Sequence, residues 1–119
     1  MAESIYKVCT VEAWSHAVRT GRFDGSPDDL RDGFIHLSTQ AQLEGTLARH
    51  FSGTDGRGRA GLLLIAISAS RLGDLLKWEP ARDGSLFPHL YAPLLPSHAE
   101  RIAPLPVGPD GRHLVPGDI

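Results

Sequence analysis

The sequence has little cysteine, little lysine and no long apolar run. Cys9 is the single cysteine in 119 residues, so no internal disulfide framework can form and no cluster of thiolates can hold a metal. Ten of the twelve cations are arginine, an excess that biased codon usage explains better than ten anion contacts, although arginine is the better phosphate fork where a site exists. The formal net charge of -2 leaves no surplus of positive charge for neutralising a nucleic-acid backbone or an anionic membrane surface. The longest apolar run, residues 60–67, falls far short of the roughly 20 residues that span a bilayer. Glu3 and the lack of an early apolar stretch do not fit a secretion signal, so a cytoplasmic protein is expected. Also missing are a Gly-x-Gly-x-x-Gly after a strand, a Walker-type loop and a His-Glu-x-x-His pair, which excludes three common sites.

What is present reads as one ordinary globular domain. Hydrophobic residues make up 41%, charged residues 22%, and the mean hydropathy is -0.14. A chain of this length buries about two-thirds of its unfolded surface, enough for a core without staples. Residues 5–8 suit a first strand. Thr10 can cap a helix that carries Trp14, Ala17 and Val18 on one face and ends at Gly21. Residues 24–32 hold a loop with one helical turn started at Ser26 and Pro27, and their acids read as a solvated face. Residues 33–38 form a second strand, whose alternation sends Ile35 and Leu37 to the core and Phe34, His36 and Ser38 to the other side. Thr39 and Gln42 have capping-box spacing ahead of a helix through Leu43, Thr46, Leu47 and His50. The glycines of 53–61 predict an exposed loop. Residues 62–67 read as a strand buried on both faces. Strands follow at 75–79, 87–91 and 99–103, with Pro88 favouring an edge or bulged strand for the second of these. The order β, α, β, α, β, β, β, β with short connections implies α+β.

Chemistry must come from polar and aromatic residues within apolar strands: Tyr6, Lys7, His36, Ser38, Trp78, Glu79, His89 and Tyr91. Each alone has a structural explanation, such as a satisfied core histidine, a surface lysine or a Glu79 paired with an arginine. Their recurrence at strand positions favours a polar cleft lined by several strands. The six histidines lack ligand spacing for a metal, and Cys9 reads as inert packing.

Several strings are specific. Ile5-Tyr6-Lys7, Asp32-Gly33-Phe34-Ile35-His36-Leu37-Ser38 with Gln40 and Gln42, the Thr46-Leu47 to His50-Phe51 stretch, and Trp78-Glu79-Pro80 through Gly84-Ser85-Leu86-Phe87-Pro88-His89-Leu90-Tyr91 resemble the bacterial domain of unknown function 952 family. The resemblance covers about residues 5–105. That family is grouped with the ADP-ribosyltransferase-like fold, which implies two packed mixed or antiparallel sheets with two main helices around a nicotinamide dinucleotide cleft. The domain would occupy residues 1–106 and an irregular tail 107–119. A second resemblance, in order of motifs, is to the NAD-dependent tRNA 2'-phosphotransferases: Tyr6-Lys7-Val8-Cys9-Thr10, Val18 to Gly21, Phe34 to Ser38, and Asp83-Gly84 leading to His89. Lys7 stands where those enzymes carry a histidine.

The resemblances imply NAD as cofactor, with no metal. Lys7 and Arg82 would hold phosphate, His36 and Ser38 would bind ribose or the nicotinamide amide, and Glu79 or His89 would orient an acceptor. Thr10 and Tyr91 join the expected cofactor-binding set, and His36, His89 and Glu79 form the catalytic one. The implied partner is a small molecule or nucleotide, with RNA entering only as a modified substrate, no membrane, and an oligomeric state left open. The reading is an ADP-ribosyl or 2'-phosphate transferase. The alternatives are a catalytically silent small-molecule or nucleotide-binding domain and a protein-interaction domain using the strand-edge Pro88 and aromatic residues.

Overall fold

Aliphatic strands broken by short polar turns generate two small sheets. The computed structural model describes residues 3–53, 55–81 and 83–117. In chain order the elements are β1 (Ser4–Thr10), α1 (Val11–Thr20), α2 (Pro27–Asp32), β2 (Ile35–His36), α3 (Leu43–His50), β3 (Leu62–Ser68), β4 (Leu76–Pro80), β5 (Leu86–Leu90) and β6 (Ala99–Pro104), with 3-10 turns between several of them. One sheet has the order β1-β3-β6 and the other β2-β5-β4, and every pairing is antiparallel. This is the small α+β architecture that the element order implied.

Alternation along the first sheet sorts its side chains onto two cores. Ile5, Cys9, Ile65 and Ile67 face Trp14, Ala17, Phe23, Ile35, Leu37 and Leu90, so they join the first sheet to α1 and the second sheet. Tyr6, Val8, Leu62, Leu64 and Ala66 face Leu43 and Leu47 of α3 together with Leu105. The central strand β3 is therefore covered on both faces, as its unbroken apolar run required. Burial pushes the Cys9 thiol up to about 11, which suits an inert packing residue rather than a nucleophile.

The helix expected after Thr10 forms, with the Thr10 hydroxyl accepting from the Ala13 N–H at 3.0 Å. Two expectations are corrected. The second strand has only two ladder residues, Ile35 and His36, and rejoins the first sheet through the Tyr6–Ser38 bridge, with backbone bonds of 2.8 and 2.9 Å. Pro88 lies in the central strand of its sheet, not at an edge, and pairs with Trp78 in an unshifted register, not at a bulge. Its carbonyl accepts from the Leu37 N–H at 3.0 Å, so the side of Pro88 that lacks a donor faces β2, and the β2 ladder stops there for want of that N–H. Past Leu105, residues 106–117 carry no helix or strand but are tied down, with His113 Nε2 at 2.8 Å from the Arg59 carbonyl and the Gly58 N–H donating to Gly111. Among the described residues no helix is long and apolar enough to cross a membrane.

Ile65 is fully buried at the junction of both sheets, whereas Leu86 is 53% exposed. Ile65→Ala should lower the unfolding free energy by about 2–5 kcal/mol in urea denaturation, while Leu86→Ala should stay within about 0.5 kcal/mol of the parent.

Candidate functional site

The site is built around a carboxylate at the third position of α2. A short helix needs its first N–H groups satisfied, and Asp29 reaches back to do so, its Oδ2 accepting from the Ser26 backbone N–H and hydroxyl, both at 2.9 Å. A Cβ on Gly25 would lie 2.7 Å from the Asp29 Cβ, and Gly25 has φ +129°, so only glycine lets the chain turn this tightly over the carboxylate. The acids of residues 24–32 are thus not uniformly a solvated face. Asp29 is 2% exposed.

Three more bonds converge on it. Lys7 occupies the face of β1 that also carries Ile5 and Cys9, and its Nζ donates to Asp29 Oδ2 at 2.8 Å and to the His36 carbonyl at 3.1 Å. The His36 backbone N–H and ring Nδ1 lie 3.0 and 2.7 Å from Asp29 Oδ1, and the ring Nε2 is 3.0 Å from Asp32 Oδ2. Burial alone would raise the Asp29 carboxyl, but the His36 hydrogen bond and the Lys7 charge outweigh it and hold the group well below the usual carboxylate range. The Asp32 carboxyl is lowered by the hydrogen bond from Arg31, with a smaller contribution from His36.

A second cluster lies beside the first. β2 and β5 pair His36 opposite His89, and the two rings sit 5.5 Å apart, both packed on Phe34, which stacks on His89 at 4.0 Å. On the neighbouring strand Glu79 is diagonal to His89, within reach across the pleat. Glu79 Oε1 takes His89 Nδ1 at 2.8 Å and the Tyr91 hydroxyl at 2.6 Å. The Tyr91 bond, then the His89 bond, lower the Glu79 carboxyl, and the same contact raises the Tyr91 phenol. An ionised Glu79 only accepts, which assigns a proton to His89 Nδ1, so that in the neutral imidazole the lone pair lies on Nε2. No buried side-chain nitrogen or oxygen among the described residues lacks a partner. His89 Nε2 has no hydrogen-bond partner among the described residues.

These elements enclose a cleft of about 590 Å³, bounded by β1, α2, the β2 segment, α3 and β5. Of the residues picked out in the sequence, Tyr6, Lys7, His36, Ser38 and His89 line it. Glu79 and Tyr91 stand behind His89 rather than in the cleft, and Glu79 takes no arginine partner among the described residues. Thr10 is an N-cap away from the cleft, and Arg82 lies outside the described residues. Lys7 is not a free phosphate hook, since its charge is matched by Asp29. Ser38 is 3% exposed and its hydroxyl meets that of Thr46 at 2.8 Å. Sequence reasoning missed Asp29 and Asp32. The signal for Asp29 was Ser26-Pro27-Asp28-Asp29, a capping box in which the acid at the third helical position must fold back toward the chain.

The fold and site define a two-sheet α+β domain whose cleft is lined by paired histidines and carboxylates. The profile described as "Protein of unknown function (DUF952)" matches residues 8–102, and the chain belongs to this family. The crystal structure of protein CC0527 from Caulobacter crescentus is 47% identical, covers 93% of both chains and superposes with a TM-score of 0.85. The solution structure of CC0527 is 47% identical over 92% of this chain and 90% of that one, with a TM-score of 0.78. No curated protein matches.

Removing Asp29 leaves Lys7 charged and buried without its counterion, so Asp29→Asn should cost about 3–5 kcal/mol in chemical denaturation. The double variant Lys7→Met/Asp29→Leu should cost less than Asp29→Asn alone. The Asp29 carboxyl is lower in the folded state than its unfolded value of about 4. Its stabilisation is thus full above that pH and disappears as the pH falls through the lower folded value. Acid titration of the parent should show this loss, and Asp29→Asn should show a flatter slope over the same range.

Proposed function

We propose that the cleft binds a nucleotide of the NAD or ADP-ribose type and that His89, held by Glu79, accepts a proton during transfer to or from its ribose. The observation that supports this best is the Tyr91–Glu79–His89 relay, which commits Nδ1 of a cleft-lining histidine to a carboxylate beside a cleft of about 590 Å³. An acceptor hydroxyl would attack the ribosyl carbon as the bond to nicotinamide breaks. Its proton would pass to His89 Nε2, and nicotinamide would leave neutral.

The two rings and Phe34 offer a flat surface for a heterocycle, and the remaining Lys7 proton and the Ser38–Thr46 hydroxyl pair offer donors to the ribose or phosphate. Asp29 and Asp32 supply negative charge beside His36, where a cationic ribosyl centre would be stabilised. The matched charge of Lys7 is the one observation that favours a silent binder instead, because it leaves the diphosphate with one fewer unpaired cation.

Titration with NAD and ADP-ribose should shift the ring protons of His36 and His89 in NMR spectra and give saturable heat in calorimetry. Unmoved rings at millimolar ligand would refute the dinucleotide reading. Replacing His89 by Gln should leave binding within a few-fold while slowing nicotinamide release by about 10²–10⁴. Binding by the parent with no nicotinamide released in the presence of candidate acceptors selects the silent binder.

A further inference from the structure

One wall of the cleft contains a residue that the fold itself does not call for. Gln42, Gly45, Thr46 and Arg49 recur at i, i+3, i+4 and i+7, so they share one face of α3, and all four line the cleft. Gly45 lies inside the helix, has no positive φ, and a Cβ built on it would meet nothing within 4 Å. Neither backbone conformation nor crowding therefore requires glycine, and alanine would make a better helix there. A glycine with no structural reason, on a helix face turned to a cleft, keeps room for something to approach the helix backbone closely.

Its neighbours define what that is. Ser38 and Thr46 hydroxyls share one hydrogen bond, in which only one of them donates. The pair therefore retains one O–H for an acceptor outside it. Arg49, one turn from Gly45, is exposed and forms no ion pair among the described residues. Asp83 lines the same cleft, and its carboxyl is lowered chiefly by the Ser85 backbone N–H, with the Arg49 charge the smallest contribution. A fixed hydroxyl donor, an uncommitted guanidinium and bare helix between them suit a compact, multiply accepting oxyanion.

We infer that this face of α3 is a phosphoryl subsite, with Gly45 admitting the phosphate, Arg49 pairing with it and the Ser38–Thr46 pair donating to it. Resting on the nucleotide reading above, it assigns the diphosphate to the α3 wall and leaves the histidine end for the ribose and heterocycle. The phosphate subsite nevertheless has its own probe, which does not depend on the dinucleotide.

The test is an amide NMR titration of the full chain with pyrophosphate and, separately, with ADP-ribose, repeated on Gly45→Leu and Arg49→Gln. Pyrophosphate should shift Gly45, Thr46 and Arg49 in the parent. Gly45→Leu should melt no lower than the parent, because leucine is the better helix former and the space is open, yet bind pyrophosphate about tenfold or more weakly. Arg49→Gln should weaken it similarly. If pyrophosphate leaves the α3 amides unmoved, or if a folded Gly45→Leu binds within twofold of the parent, the inference is overturned. Pyrophosphate binding at α3 without any response to ADP-ribose upholds the subsite and refutes the dinucleotide reading. ADP-ribose that shifts His36 and His89 but not α3 does the reverse.

Discussion

The buried ion pair between Lys7 and Asp29 is the contact on which the cleft depends. Charges taken out of water are costly unless geometry and extra hydrogen bonds compensate, and here Asp29 accepts five bonds from Lys7, Ser26 and His36. Those partners come from β1, the start of α2 and β2. One carboxylate thereby fixes how the first sheet, the acidic helix and the second sheet meet. Immediately beside it the Tyr6–Ser38 bridge joins the two sheets by backbone bonds. An apolar pair could hold the same elements together, but it would not orient His36, whose ring is clasped by Asp29 on one side and Asp32 on the other.

The consequence for chemistry is a division of labour between the two histidines. Both ring nitrogens of His36 face carboxylate oxygens, so it serves as a positioned, charge-coupled wall of the cleft. His89 engages Glu79 through Nδ1 alone, and its Nε2 has no hydrogen-bond partner among the described residues. Phe34 ties the rings together, and Tyr91 holds the Glu79 oxygen from behind.

Much of this was legible in the chain, for reasons that differ by residue. Alternation through Ile35, His36, Leu37 and Ser38 correctly divided core from cleft, because side-chain direction in a strand follows from period two alone. The unbroken 62–67 run correctly marked a strand buried on both sides. Asp29 could not be recognised by composition, since it sits among Asp28 and Asp32 and differs from them only in facing inward, a property fixed by Gly25 and the capping box. Glu79 and Tyr91 were visible as unusual strand residues, but their place behind His89 depends on the β4–β5 register. Pro88 misled because its missing N–H was taken as a mark of a sheet edge or a bulge, whereas the chain places it where the short β2 ladder ends.

Hydrogen exchange on Asp29→Asn tests most directly whether this ion pair holds the two sheets in register. The account predicts that the Tyr6, His36, Leu37 and Ser38 amides lose protection selectively, while the central β3 amides such as Leu64 and Ile65 keep most of theirs. Undiminished protection at Tyr6 and Ser38, or an equal loss throughout β3, would contradict it.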